Sequence, residues 1–193
     1  QKQFPSLLII DRLDVTDHSQ IDQLAEKYST IAIDVLLNNA GISGDTKNQI
    51  FGTMNYDVYH KVLAVNTIGP LKMAEAFYPH VKASEQKKII TVSSSEGSIA
   101  TADKRGGGRL FFYRSSKSAL NMVMVNLALQ LKSRGVAVGM VNPGATDTDF
   151  MTGLPFPLRK TEVAVSDMIR NIDSITVENT GAYLNYNGKT VPW

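Results

Sequence analysis

The apolar runs of this chain do not alternate. Residues 34–38 (DVLLN), 88–94 (KIITVSS) and 136–141 (VAVGMV) place apolar side chains on consecutive positions. A strand buried on one face alternates apolar with polar residues, whereas a run apolar on both sides must be covered on both faces. A parallel sheet, with helices as its crossovers, is covered in this way on both faces. Helical patterns fall between the runs as that geometry demands. In 58–81, Val62, Val65, Ile68, Met73, Ala74, Phe77 and Val81 lie near one stripe. Residues 112–134 form a second, longer helix. A strand over 6–15 (SLLIIDRLDV), a short helix over 20–28 with Ser19 as its N-cap, a helix over 161–172 and a strand over 181–185 complete the alternation. Residues 41–55 read as loop with some helix, and 100–109 as a polar, glycine-rich loop. The fold class is α/β, a doubly wound parallel sheet, in one domain over residues 1–193.

Composition narrows the function classes. The net charge is +2 and no basic run suggests a nucleic-acid surface. The chain has no cysteine, so disulfides and thiolate metal sites are excluded. His18, His60 and His80 are scattered without metal-ligand spacing, so no metal is expected. No apolar run reaches membrane-spanning length, and the first residues do not read as a signal peptide. The expectation is a cytoplasmic protein with a small-molecule partner, neither nucleic acid nor membrane.

In open α/β sheets, ligands bind outside the carboxyl ends of the strands. Here those ends carry Asp14-Val15, Asn38-Asn39-Ala40-Gly41, Ser93-Ser94-Ser95-Glu96-Gly97 and Asn142-Pro143-Gly144-Ala145-Thr146-Asp147-Thr148. Tyr113 and Lys117, four residues apart, open the long helix between the last two of these ends. That spacing puts both side chains on one helix face, one turn apart. Taken alone, such a pair reads as an accident of helical sequence. Asn66 sits inside a helix where asparagine is a poor former, and Pro70 follows four residues later. Proline lacks an N–H, so the Asn66 carbonyl loses its partner and is free to hold a water. A helix kink without function is the plainer reading.

Asn-Asn-Ala-Gly, Ser-x-x-Gly, Tyr-x-x-x-Lys and Asn-Pro-Gly, in this order, make the chain resemble the short-chain dehydrogenase/reductase family. The likeness covers essentially the whole chain, from that family's third strand onward, and is greatest to the carbonyl-reductase-like and C-factor-like branch. It implies a Rossmann-like fold and an NAD- or NADP-dependent reduction of a carbonyl, or oxidation of an alcohol, with the branch favouring NADP. Tyr113 would be the general acid, with a phenol pKa brought toward neutrality by the Lys117 charge. Lys117 would also bond the nicotinamide ribose. Ser94, selected by its spacing to Gly97, would hold the substrate oxygen, leaving Ser93 and Ser95 as strand-end caps. Asn66 would bind a relay water behind the lysine. Asp14, with Val15 beside it, would meet the adenine, although a turn aspartate before Thr16-Asp17 is the alternative. Asn39, Ala40 and Gly41 would run beside the adenosine ribose. Pro143 and Gly144 would shape the turn from which Thr146 and Thr148 hold the nicotinamide carboxamide.

Two further expectations attach to the branch. The helix over 113–133 is apolar nearly all round, through Leu120, Met122, Val123, Met124, Val125, Leu127, Leu129 and Leu131, which implies a homodimer packed through it. The tail NGKTVPW implies a complete C-terminus. The loop DKRGGGR (103–109) with Arg114 sets Lys104, Arg105 and Arg109 near the mouth, either as a solvated loop or as a site for an anionic substrate.

One part of the family pattern is missing. The glycine-rich Thr-Gly-x-x-x-Gly-x-Gly turn that cradles a pyrophosphate does not occur, nor do the first two strands that flank it. With strand order 3-2-1-4-5-6, the 6–15 strand would stand off from the 34–38 strand by a gap on the order of 10 Å. The chain also begins with Gln1. Roughly 50 residues would restore the unit, by analogy with a complete fold. The expectation is a domain incomplete at its N-terminus. The alternative is a truncated, non-catalytic interaction module.

Overall fold

The structure, a computed structural model, describes residues 8–104, 108–151 and 157–193. Four strands, β1 (Val35–Asn38), β2 (Lys88–Val92), β3 (Ala137–Asn142) and β4 (Tyr183–Asn185), form one parallel sheet in the order β1-β2-β3-β4. Their crossovers are helices. The chain runs from β1 through α2 (Tyr56–Leu63) and α3 (Gly69–Lys82) to β2. It continues through α4 (Phe111–Lys132) to β3, and through α5 (Thr161–Ser174) to β4. A first helix, α1 (His18–Lys27), precedes β1 and packs on α3.

Consecutive strand residues serve opposite faces, as the unbroken apolar runs require. Ile89, Val138 and Met140 enter the larger cluster with Phe77, Val81, Leu120 and Met124 from α3 and α4. Their neighbours Ile90, Ala137 and Val141 enter a second cluster with Ile172 and Ile175. Because all four strands are parallel, their carboxyl ends open on one side.

The 6–15 expectation fails. Residues 8–15 form no strand, and Ser6 lies outside the described residues. A strand needs a neighbour for its ladder of N–H and C=O groups, and among the described residues no strand lies beside this segment. The sheet does not rearrange to supply one: among the described residues β1 pairs with β2 alone. The segment is instead tied to the end of α1, where Asp11 takes Lys27 Nζ at 2.5 Å and the Tyr28 hydroxyl. Leu13 packs into the main core, while Leu8, Ile9 and Ile10 are exposed. The N-cap of α1 is Asp17, whose Oδ1 accepts from the N–H groups of Ser19 and Gln20 at 3.0 and 3.2 Å; Ser19 is already inside the helix.

The helix over 58–81 is real but changes pitch. Between α2 and α3, Ala64–Ile68 form a turn of π-helix. This is where the Asn66–Pro70 pairing withdraws a hydrogen bond, and a π turn is a common way to absorb such a loss.

Candidate active site

The expected rim residues are brought together in two groups. The first surrounds the start of α4. Tyr113 is half-buried, its ring 5.5 Å from that of Phe150. Its hydroxyl shares a hydrogen bond with the Ser94 side chain. Ser94 also caps the short 3-10 turn Ser95–Gly97, accepting from Glu96 N–H at 3.2 Å. The Tyr183 hydroxyl, from β4, donates to the Ser94 carbonyl and fixes the serine from behind. Lys117 is buried, with Nζ donating to the Val92 carbonyl at 2.9 Å and lying 5.7 Å from the Tyr113 ring centre. Gly97 permits this packing, because a Cβ there would fall 2.8 Å from the Lys117 backbone carbon.

Asn66 closes the back of this group. It is fully buried in the π turn. Its Oδ1 accepts from Ile42 N–H, and its Nδ2 donates to the Ile42 carbonyl and to Ser116 Oγ, each at 2.9 Å. The side chain thus clamps the segment that follows Gly41 against α4.

The expected pKa direction is reversed. Burial pushes the Tyr113 phenol up to about 12, and the nearby Glu96 and Tyr183 push the same way, against the Ser94 hydrogen bond. Lys117 does not offset this. Burial lowers its own pKa to about 8, because the desolvated ammonium has no carboxylate partner among the described residues. With its pKa raised, the Tyr113 phenol holds its proton at neutral pH.

The second group lies at the other end of the rim. Asp14, Val15 and Ala40 line an open cleft of about 730 Å³ together with Arg12, Leu13 and Gln20. Thr16 donates to Asp14 Oδ1 through both its N–H and its hydroxyl, at 2.9 and 2.7 Å, and these bonds hold the carboxylate below its ordinary pKa. The turn-aspartate geometry and a place in the cleft thus coexist. Asn39 is exposed beside Ala40. Gly41 joins the two groups: the space above its α-carbon is bordered by Asn66 Oδ1 and Lys117 Nζ, 3.5 and 3.6 Å from where a Cβ would stand.

The turn after β3 is held by Arg159, a residue with no sequence signal. Arg159 donates to the Pro143 carbonyl at 2.6 Å, pairs with Asp167 and lies 4.0 Å over the Tyr186 ring. Gly144 sits at φ 75° under this clamp. Thr146 bonds back to the Gly144 carbonyl at 3.2 Å and Thr148 to the Thr146 carbonyl at 3.3 Å, so both hydroxyls are engaged within the turn.

Phe150, whose ring lies beside that of Tyr113, and Phe111, at the start of α4, are exposed large apolar residues. Arg114 is committed to Glu96 and to the Ala102 carbonyl. Arg105 and residues 152–156, which belong to the expected pocket loops, lie outside the described residues. Besides Tyr183 and Arg159, sequence reading missed Gln49, whose amide reaches the first turn of α4.

The chain is similar to known proteins along most of its length. Residues 3–155 match the short chain dehydrogenase family. The C-signal protein of Myxococcus xanthus is 32% identical over 169 residues, covering 88% of this chain and 98% of its own. The 1-hydroxy-2-glutathionyl-2-methyl-3-butene dehydrogenase of Rhodococcus sp. (strain AD45) is 31% identical over 185 residues, 94% of this chain and 78% of its own. The crystal structure of NADPH-bound carbonyl reductase from chicken fatty liver superimposes with a TM-score of 0.88 at 28% identity, covering 100% of this chain and 79% of its own. The match in sequence and the parallel sheet with its rim of Ser94, Tyr113 and Lys117 lead to one conclusion: the chain belongs to the short chain dehydrogenase family.

Proposed function

We propose that this protein is a nicotinamide-dependent oxidoreductase that interconverts a small carbonyl compound and its alcohol. The observation that carries the reading is the convergence of Tyr113, Ser94, Lys117 and Asn66 at the carboxyl ends of β1 and β2. A dinucleotide, when bound, supplies the hydride. Every other requirement falls on side chains of this chain. The neutral Tyr113 hydroxyl donates its proton to the carbonyl oxygen. Ser94 Oγ, already paired with that hydroxyl, orients the same oxygen. The Lys117 ammonium stabilises the phenolate left on Tyr113, and Asn66 holds the backbone beside the lysine so that a proton can be returned.

The dinucleotide fits at two ends. Asp14, Val15 and Ala40 form the adenosine end, and the bare Gly41 leaves room for a ribose against Lys117. Asn39 would line the adenosine ribose from the same strand end. Pro143, Gly144, Thr146 and Thr148 form the nicotinamide end. No glycine-rich turn at a helix N-terminus cradles the phosphates among the described residues. NADPH is favoured over NADH, since the chicken carbonyl reductase holds NADPH and a similar short-chain dehydrogenase/reductase from Burkholderia multivorans (TM-score 0.84, 27% identical) holds NADP.

Trp193 is the only tryptophan and stacks on Tyr183, which bonds Ser94, so its fluorescence reports on the site. Titration with NADPH is expected to saturate at lower concentration than with NADH. Failure of both to bind removes the reading.

A homodimer through α4 belongs to the same proposal. Its buried stripe runs through Phe112, Leu120, Met124, Ala128 and Leu131, leaving Met122 and Leu129 exposed one heptad apart on the outer face. Sedimentation at twice the monomer mass is the expected result, and a monomer across concentrations would contradict it. Among the described residues no helix is long and apolar enough to cross a membrane.

A further inference from the structure

The helix that carries Tyr113 begins without a cap of its own. Its N-cap residue is Leu110, in the left-handed conformation at φ 57°, with no side-chain oxygen to offer. The first N–H groups of a helix have no acceptor within it, and a local Ser, Asp or Asn normally takes those of the second or third residue. Phe112 is the second residue of α4 and is 1% exposed, so solvent does not stand in.

The acceptor comes from 63 residues earlier. Gln49 Oε1 takes the Phe112 N–H at 2.8 Å. Gln49 Nε2 donates to the carbonyls of Ser43 and Asp45, at 2.8 and 3.1 Å. The amide is buried and used at both ends, which fixes its orientation: reversing it would face donor to donor at Phe112 and oxygen to oxygen at Ser43. The segment it anchors is held at its other end by the Asn66 clamp on Ile42. Tyr59 stacks on the Phe112 ring at 4.7 Å and bonds Ser115, so the first turn of α4 is gripped on two sides.

We propose that Gln49 is a positioning residue for Tyr113, a cap delivered in trans along the chain that sets where the first turn of α4 holds the phenol. The proposal rests on the reading of Tyr113 as proton donor. Displacement of a reacting group by about 1 Å costs on the order of a hundredfold in rate. A cap acting this way is felt in the chemical step and not in substrate or dinucleotide affinity.

The test compares the wild type with Gln49→Met, which keeps the unbranched shape and loses both amide functions. Carbonyl reduction and amide hydrogen exchange are measured on both in the full chain. Gln49→Met is expected to lower kcat by on the order of tenfold to a hundredfold, with KM values within about twofold. Exchange speeds up at 111–114 and stays unchanged over 120–131. Wild-type kcat in Gln49→Met overturns the proposal, as does faster exchange along all of α4 with kcat and KM failing together. If the wild-type chain itself reduces no carbonyl, the oxidoreductase reading fails separately. Exchange then decides for Gln49: selective loss at 111–114 upholds the cap, and unchanged protection there overturns it.

Discussion

Replacing Tyr113 by Phe is expected to lower carbonyl reduction on the order of a thousandfold and to leave NADPH affinity within about twofold. The substitution removes one oxygen and little else. The ring keeps its contact with Phe150, and Ser94 keeps the Glu96 N–H as a partner for its Oγ. The stability lost is that of one hydrogen bond, about 1 kcal/mol. Proton donation has no substitute at that position: Ser94 Oγ is a far weaker acid, and Lys117 Nζ points to the Val92 carbonyl. Steady-state turnover together with a fluorescence titration separates chemistry from binding. Turnover unchanged in Tyr113→Phe would sink the assignment of the phenol.

The second large effect is on stability, and it belongs to Lys117. The side chain is 4% exposed, and burial brings its pKa from 10.5 to about 8. Below pH 8 both folded and unfolded chains carry the proton, and the folded chain bears the cost of a buried ammonium. Between about 8 and 10.5 the unfolded chain still holds a proton that the folded chain has shed. The unfolded state then binds more protons, so stability rises with pH across that window. At 1.36 kcal/mol per unit, the gain is about 3 kcal/mol. Lys117→Met does not titrate. The unfolding free energy of the wild type minus that of Lys117→Met is therefore expected to rise by about 3 kcal/mol from below pH 8 to above pH 10.5. Tyr113 acts in the opposite direction at higher pH, because its folded pKa of about 12 lies above the ordinary 10, but it is present in both proteins and cancels. Denaturant unfolding across this range, without dinucleotide, reads the difference. A flat difference would mean that Lys117 keeps its proton in the folded chain as easily as in water.

The parallel sheet was legible because its cause is local: a run such as VAVGMV has no polar face to turn outward. The rim was legible for the same reason, since strand ends and a helix start are fixed by the order of elements. Asn66 and Pro70 marked the π turn through a missing N–H, a feature written in sequence. Residues 8–15 misled because β propensity is local but strand pairing is not; LIID at 8–11 has the residues of a strand and no strand beside it among the described residues. Ser19 misled for a smaller reason, because Asp17 two residues earlier is an equally good cap. The Tyr113 pKa was misjudged because Lys117 is visible four residues away, whereas the burial of both side chains and the approach of Glu96 and Tyr183 are set by tertiary packing. Gln49, Arg159 and Tyr183 act on the site across long stretches of chain and carry no motif.

Hydride transfer at this rim can be observed directly. The purified protein is incubated with NADPH deuterated at the transferable position and an uncharged aromatic aldehyde, and the product is examined by mass spectrometry. The expected result is the alcohol with deuterium on the former carbonyl carbon, formed by the wild type and not by Tyr113→Phe. An aldehyde that stays unreduced, or an alcohol formed equally well by both proteins, would contradict the account.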